Sequence, residues 1–472
     1  MRAFVQRNFT IVFYVLAAAA CAIAFRHLSG AYLYNDDFRW MSQARYQMTP
    51  GNLLTFQVFG FFRPLMNVMF YVTERTMRGN IPAYYATNLA LHLTNGVLVF
   101  HLLARLMRNR AIAAGTALFF LITSTHYAAV GWISARTTLV STLLLLASML
   151  VLVDMPRTLR RQVAAAVLFA LALAAKEDAL IGVALLALIA LYLGRRQNML
   201  PDRTSIGMFA SITIVYVIVR TLVMKHLTQP NWGPGLHIFR NLAGGLLYQF
   251  YPWSLASLTH TARSIPVPTH PLWPEILAVP LIVLWVAAGA RLKRSREVCF
   301  AIAWLVIAML PMAPFRIRFF TTDWLTHDRY YYLSSMGASL CIVSLLVGVW
   351  KRAPWPMVAR TAVAATAVII VCGEISAVND SDKRFHHMTT SYRTLVDMST
   401  YRLDHEQALT TCAIEGWPMQ TAFLQDVFAL ERPRWKMVSV QNRDEAQQYR
   451  PCLYIRFVSR GKGMATESST ID

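Results

Sequence analysis

Long apolar runs, separated by short clusters of Arg and Lys, make up the chain from its start to about residue 378. A helix that crosses a bilayer needs roughly 20 mostly apolar residues. Eleven such runs are predicted, near 8–25, 84–104, 111–130, 136–153, 162–176, 178–194, 205–226, 275–290, 298–315, 331–350 and 358–378. The eighth is short and contains Pro280. Three longer segments interrupt them, at 26–83, 227–274 and 316–330. In the first, apolar and aromatic residues mix with polar ones in the manner of short helices lying in a membrane interface. The stretch RNLAGGLLYQFYPWSL at 240–255 in the second reads the same way. The expectation is an all-α integral membrane protein of about 11 transmembrane helices. It has a core over 1–378, interfacial helices in the first long outer loop and a small tail domain over 379–472.

Composition supports the membrane reading. Of 472 residues, 56% are hydrophobic and 15% charged, against roughly 25% charged in ordinary globular chains. That excludes a cytosolic enzyme, a secreted disulfide scaffold and a disordered chain.

The net charge of +21 raises the question of an acidic partner, but its distribution answers differently. With the N-terminus inside, the loops 1–7, 105–110, 154–162, 194–203, 291–297 and 351–360 hold 18 Lys and Arg against Asp154, Asp202 and Glu297. The tail balances 12 basic against 12 acidic residues. Most of the excess is therefore the positive-inside signal of topology, with the C-terminus outside and no nucleic acid as partner. The first run has a rival reading as a cleaved signal peptide, with a weak lipoprotein-like site at Cys21. Four of the six cysteines fall in apolar runs. Cys412 and Cys452 share the outer tail, where a disulfide is open to them if that side is oxidising.

Polar residues inside or beside spanning helices ask for a reason, and here the topology gathers them on the outer side. They are Asp36 and Asp37 after the first run, Arg63, the trio Asn88, His92 and Asn95, and His126 with Arg136. Lys176, Glu177 and Asp178 form a tight turn, and Asp323, His327, Asp328 and Arg329 precede three tyrosines. Carboxylates and cations sharing one leaflet suit transfer of a sugar from a lipid phosphate. A carboxylate accepts the attacking hydroxyl's proton, and Arg or Lys receives the departing phosphate. Read as an extended segment, Asp36 and Asp37 point to opposite faces, so only one can be the base. Each group also has a structural reading. The Lys176 turn can pair its own charges, Asn88, His92 and Asn95 at helical spacing can form an interhelical hydrogen-bond cluster, Arg136 can snorkel, and Arg329 can anchor at the interface.

The order of these pieces resembles the GT-C class of integral-membrane glycosyltransferases, above all the protein O-mannosyltransferase superfamily (family 39). The resemblance lies in NDDF at 35–38, in the Arg-Pro opening and Pro-aromatic-Tyr-x-x-Asn-Leu run between Arg63 and Asn95, and in HYAAVGWISAR at 126–136. It continues in AAKEDAL at 174–180 and HDRYYYLSS at 327–335. It implies an inverting transferase with a polyprenyl- or dolichyl-phosphate-linked sugar donor. Asp36 and Asp37 would supply the catalytic base, and Arg63, His126, Arg136, Lys176, Glu177 and Arg329 would bind donor phosphate or substrate. No tetratricopeptide repeats and no β-trefoil-like tail are present, which leaves the acceptor open among glycan, lipid and protein. Relatives differ in their use of a divalent metal, and no cofactor is assigned. The implied location is a bacterial inner membrane with the active site facing the periplasm. The rival function is a transporter or lipid-linked sugar flippase without transferase chemistry; transporters tend to place charges at the bilayer midplane on broken helices in repeated halves.

Overall fold

A computed structural model describes residues 8–153, 158–197, 203–225, 233–250, 273–315, 328–352, 356–405, 409–415, 430, 435–460 and 463–471. The chain runs through α1 (Phe9–Ala24), α2 (Asp36–Tyr46), α3 (Pro64–Met77), α4 (Ile81–Met107), α5 (Arg110–Ile122), α6 (Tyr127–Gly131), α7 (Arg136–Val153) and α8 (Leu159–Ala175). There follow α9 (Gly182–Gln197), α10 (Arg203–Met224), α11 (His237–Phe250), α12 (Trp273–Arg291), α13 (Ser295–Met309), α14 (Ser335–Arg352) and α15 (Pro356–His405). The tail then adds β1 (Thr411–Glu415), β2 (Lys436–Val440), α16 (Arg443–Ala446), β3 (Cys452–Arg460) and β4 (Gly463–Ile471).

A helix stands at each of the eleven predicted runs. Among the described residues, six helices are long and apolar enough to cross a membrane, or seven if α5 and the 124–131 segment, bent by 62°, count as one broken span. Helix α15 extends for 50 residues, continuing well past residue 378. Chain contacts separate two compact units.

The larger unit holds 1–27, 85–131 and 135–383. Its helices are joined by close approach and by polar links. Ser141 and Ser148 of α7 donate to the carbonyls of Ala172 and Ala165 on α8, at 3.1 and 2.6 Å, the small-residue hydrogen bonding that holds apolar helices together in lipid. A Cβ on Gly337 would lie 2.5 Å from the Ala301 carbonyl, so α13 and α14 meet where only glycine fits. The broken segment after α5 is held by three buried carboxylates. Glu374 accepts from the Ser124 N–H and hydroxyl at 2.7 and 2.9 Å, Asp382 from the Tyr127 hydroxyl at 2.9 Å, and Asp328 from the Ala128 N–H at 2.9 Å.

The smaller unit holds 28–84, 132–134 and 384–472. Here the tail departs from the all-helical expectation with a four-stranded sheet in the order β2-β1-β3-β4, parallel except for the β3–β4 pair. Short runs rich in Val, Ile and Tyr favour strands, and a tail without a long apolar period has no competing helix signal. Cys412 and Cys452 are both free, buried thiols. Cys412 pairs in register with Leu453, so Cys452 lies one residue off and projects from the opposite face. That register denies them a disulfide.

Candidate functional site

The carboxylate pair opens a helix instead of lying in an extended segment. Asp36 and Asp37 form the first turn of α2, where negative charge is favoured by the helix dipole, and Arg45 occupies the last turn. Successive helical positions diverge by about 100°, so the two acids still face different ways. Their surroundings divide their roles. Asp37 is fully buried, its Oδ2 accepting from the Tyr34 N–H at 3.0 Å and its Oδ1 from the Ser134 N–H at 2.7 Å. Burial pushes its carboxyl up to about 7, against the pull of those two N–H groups. Asp36 is half-buried. Asn35 immediately before it has φ 41°, a backbone state uncommon outside glycine.

Arg63 is the residue before Pro64 at the start of α3, the position proline favours. Its guanidinium lies 4.1 Å from the centroid of the Phe61 ring, and that of Arg39 lies 4.4 Å from Phe59. Both rings belong to a two-residue turn bridged between Val58 and Phe61, with Phe59 at φ 55° and Gly60 at φ 69°. Left-handed values at both central residues mark the turn type that suits a hairpin. Arg39, three residues after Asp36 and on the same helical face, escaped notice in the sequence because that segment was read as extended. A second cluster braces α2 against α3: Arg45 pairs with Glu74 at 2.5 Å, and the Tyr84 hydroxyl donates to Glu74 at 2.8 Å.

The remaining predicted residues lie in the larger unit. Lys176 follows α8 and is 3% exposed; its Nζ donates to the Thr138 hydroxyl at 2.9 Å and pairs with Asp178 at 2.5 Å. The turn therefore does pair its own charges, and Glu177 beside them is half-buried. Lys176 Nζ also lies 4.9 Å from the centroid of the Tyr330 ring, and the Arg329 guanidinium lies 4.7 Å from the same ring. Arg329 donates to the Tyr330 hydroxyl at 3.1 Å. Two cations predicted separately thus converge on Tyr330, whose aromatic face attracts both. Thr138, Ser141, Lys176, Asp178 and Tyr330 line a cavity of about 20 Å³, room for one water. Tyr330 was legible only as one of three interfacial tyrosines.

His126 and Arg136 are fully buried. His126 Nδ1 meets the Ser335 hydroxyl at 2.8 Å, while among the described residues its Nε2 has no hydrogen-bond partner. Arg136 Nε donates to Asn88 Oδ1 at 2.8 Å, and Asn88 donates to the Val130 carbonyl at 3.1 Å. His92 and Asn95 both meet the Tyr332 hydroxyl, at 2.8 and 3.1 Å, and bond the carbonyls of Leu121 and Leu139. The trio at helical spacing is thus the interhelical cluster its pattern allowed. Asp328 is buried, which pushes its carboxyl well above the usual carboxylate range. Asp323 and His327 lie outside the described residues. Among the described residues no group of three or more His, Cys, Asp and Glu is placed to hold a metal ion.

No protein-family model matches the chain, and no curated protein matches it. Solved structures do. The archaeal oligosaccharyltransferase AglB from Archaeoglobus fulgidus, in complex with an inhibitory peptide and a dolichol-phosphate, aligns with a TM-score of 0.51 at 11% identity. The alignment covers 94% of this chain and 65% of AglB, so the chain spans about two thirds of that protein's length. ArnT from Cupriavidus metallidurans aligns with TM-scores of 0.47 bound to undecaprenyl phosphate and 0.48 in the apo state, at 13% and 14% identity. Those alignments cover 95% and 96% of this chain and 93% of ArnT. The chain shares its fold with AglB, and its ordered motifs resemble the GT-C class.

Proposed function

We propose that the protein is a membrane glycosyltransferase. It moves a sugar from a polyprenyl- or dolichyl-phosphate carrier to an acceptor hydroxyl, with inversion, on the extracytoplasmic face of a bacterial inner membrane. The observation that carries this reading is the convergence of Lys176 and Arg329 on Tyr330. Two cations held at one aromatic face concentrate positive charge where a phosphate can be received. In its absence Asp178 balances Lys176, and an incoming phosphate displaces that carboxylate. AglB, which shares the fold, was solved with a dolichol-phosphate, which supports a lipid phosphate as donor.

The chemistry is a single displacement. The acceptor oxygen bonds to the anomeric carbon as the bond from that carbon to the phosphate oxygen breaks, and the electron pair leaves with the lipid phosphate. A carboxylate takes the acceptor proton. Asp36 is assigned that role because Asp37 already gives both oxygens to backbone N–H groups. Lys176 and Arg329 hold the leaving phosphate, and Arg63 and Arg39 are further cations for anionic substrate groups. Glu177, His126 and Arg136 act through position: the last two are buried in hydrogen-bonded contacts.

Replacing Lys176 or Arg329 with Ala is expected to raise the KM for a polyprenyl-phosphate sugar about tenfold or more, the size of one charge-assisted contact. Tyr330→Phe keeps the ring and most of the affinity; Tyr330→Ala loses it. Unchanged donor KM in both cation variants, measured on protein with normal thermal stability, removes Lys176 and Arg329 from the donor site.

A further inference from the structure

A groove in the larger unit is not used by the proposed reaction. It holds about 500 Å³, within the range of ligand pockets. Its walls are apolar residues of four helices, among them Leu16 and Ala20 of α1, Gly115 of α5, Val343 of α14, and Ala364 and Ala367 of α15. Small side chains leave the space open: the Gly115 position lies against Val343. Leu16, Trp350 and Val371 on its border are exposed, and α14 and α15 are among the helices able to cross a membrane. The groove therefore opens onto lipid.

Its two ends differ in charge. Gly115 packs against Val343 and His126 bonds Ser335, so α5 and α14 run antiparallel and the start of α5 lies beside the end of α14. Along α5 the groove extends from Ala111 to Ile122, about 16 Å at 1.5 Å per residue. That is close to half of a bilayer's hydrocarbon core, whose full thickness is about 30 Å. At the far end lie Ile122 and Ile375, next to the Ser124–Glu374 hydrogen bonds that close the path. At the near end stand four exposed cations, Arg110, Lys351, Arg352 and Arg360. The Arg360 guanidinium lies 5.9 Å from the centroid of the Trp350 ring. An apolar slot one leaflet deep, with a basic rim and an aromatic residue at headgroup level, matches one lipid type: hydrocarbon chain inside, negative headgroup on the rim.

We infer that this groove binds one anionic phospholipid, a hydrocarbon chain along α5, α14 and α15 and its headgroup at Arg110, Lys351, Arg352 and Arg360. The site is independent of the sugar-transfer reading, since it shares no residue with that site.

The test reconstitutes the full chain in nanodiscs of equimolar phosphatidylglycerol and phosphatidylcholine with matched chains. Retained lipid is then counted by native mass spectrometry after extraction into detergent. The expected result is one phosphatidylglycerol per chain, favoured about tenfold over phosphatidylcholine. Filling the groove with the double substitution Ala364→Phe and Ala367→Phe is expected to abolish retention. If that variant fails to fold, the exposed rim decides: Arg110→Glu with Arg360→Glu is expected to remove the preference for the anionic lipid. Equal retention of both lipids, undiminished retention in a folded groove variant, an unchanged preference in the rim variant, or a polyprenyl phosphate or second protein copy in place of the phospholipid each overturns the inference.

Discussion

Asp36 and Asp37 are neighbours in different surroundings, and burial separates them. Asp37 gives its oxygens to the Tyr34 and Ser134 N–H groups inside the protein, which ties the start of α2 to the 132–134 segment. An amide at this position can accept only one of those two bonds and sets its own NH2 against the other donor. Asp37→Asn is therefore expected to lower stability by about 1–3 kcal/mol, the usual result of a buried polar mismatch. Its pH signature follows from the raised carboxyl. The ordinary value is 3.8 and the folded value about 7, so folding favours the protonated form. The stability this group contributes is complete below pH 4 and declines as pH rises through 7. Thermal unfolding from pH 4 to 8 should show that decline in the wild type and a flatter profile in Asp37→Asn; matching profiles would remove Asp37 as the titrating anchor. The signal for a helix start was present in the sequence: Asn35 precedes two acids, and Phe38, Met41 and Ala44 follow at helical spacing. Reading the pair as extended hid both Arg39 and the different burial of the two acids.

At the scale of elements, the helices were legible because lipid requires apolar ones, and each predicted run coincides with a helix, six or seven of them among the described residues long and apolar enough to cross a membrane. What the pattern did not carry was the break after α5. Thr123–Gly131 is apolar enough to look like the end of a continuous span, and its bend depends on Glu374, Asp382 and Asp328, which are remote in sequence. The tail's sheet was missed for a related reason: β1 and β2, of five residues each, give little period to read, and β1 pairs with strands from well beyond it. In the first outer loop, α3 stands where an interfacial helix was expected around Met66, Phe70 and Tyr71, while the apolar stretch at 53–62 forms turns; neither α2 nor the pair that joins it to α3, Arg45 with Glu74, was expected. Both are nearly buried, at 11% and 3% side-chain exposure. Removing one partner of a buried pair leaves the other charge uncompensated, which destabilises by about 3–5 kcal/mol. Arg45→Met is expected to unfold this element at markedly lower temperature. Arg45→Met with Glu74→Leu is expected to recover most of the loss. A double variant no more stable than the single one, in a thermal-shift series, would show that the pair is not the brace.

For the whole molecule, low charged fraction and one-sided basicity indicated a polytopic protein, and the order of weak motifs indicated the fold class before any coordinates did. The chemistry was legible only as residue types on one leaflet. Convergence of Lys176 and Arg329 on Tyr330 depends on a turn after α8 meeting a turn before α14, 153 residues on from Lys176 to Arg329, and no local pattern encodes that. The central claim is that this molecule forms a glycosidic bond, with Asp36 as the base. Its most direct measurement supplies the purified protein, in proteoliposomes with membrane extract as acceptor, with a panel of labelled polyprenyl-phosphate sugars. The account predicts that at least one sugar becomes covalently attached to acceptor with inverted anomeric configuration. It also predicts that Asp36→Asn lowers the rate at least a hundredfold, in line with loss of a general base, while folding and insertion are unchanged. Movement of a labelled lipid or sugar across the bilayer with no new glycosidic bond, or transfer by Asp36→Asn at the wild-type rate, would contradict it.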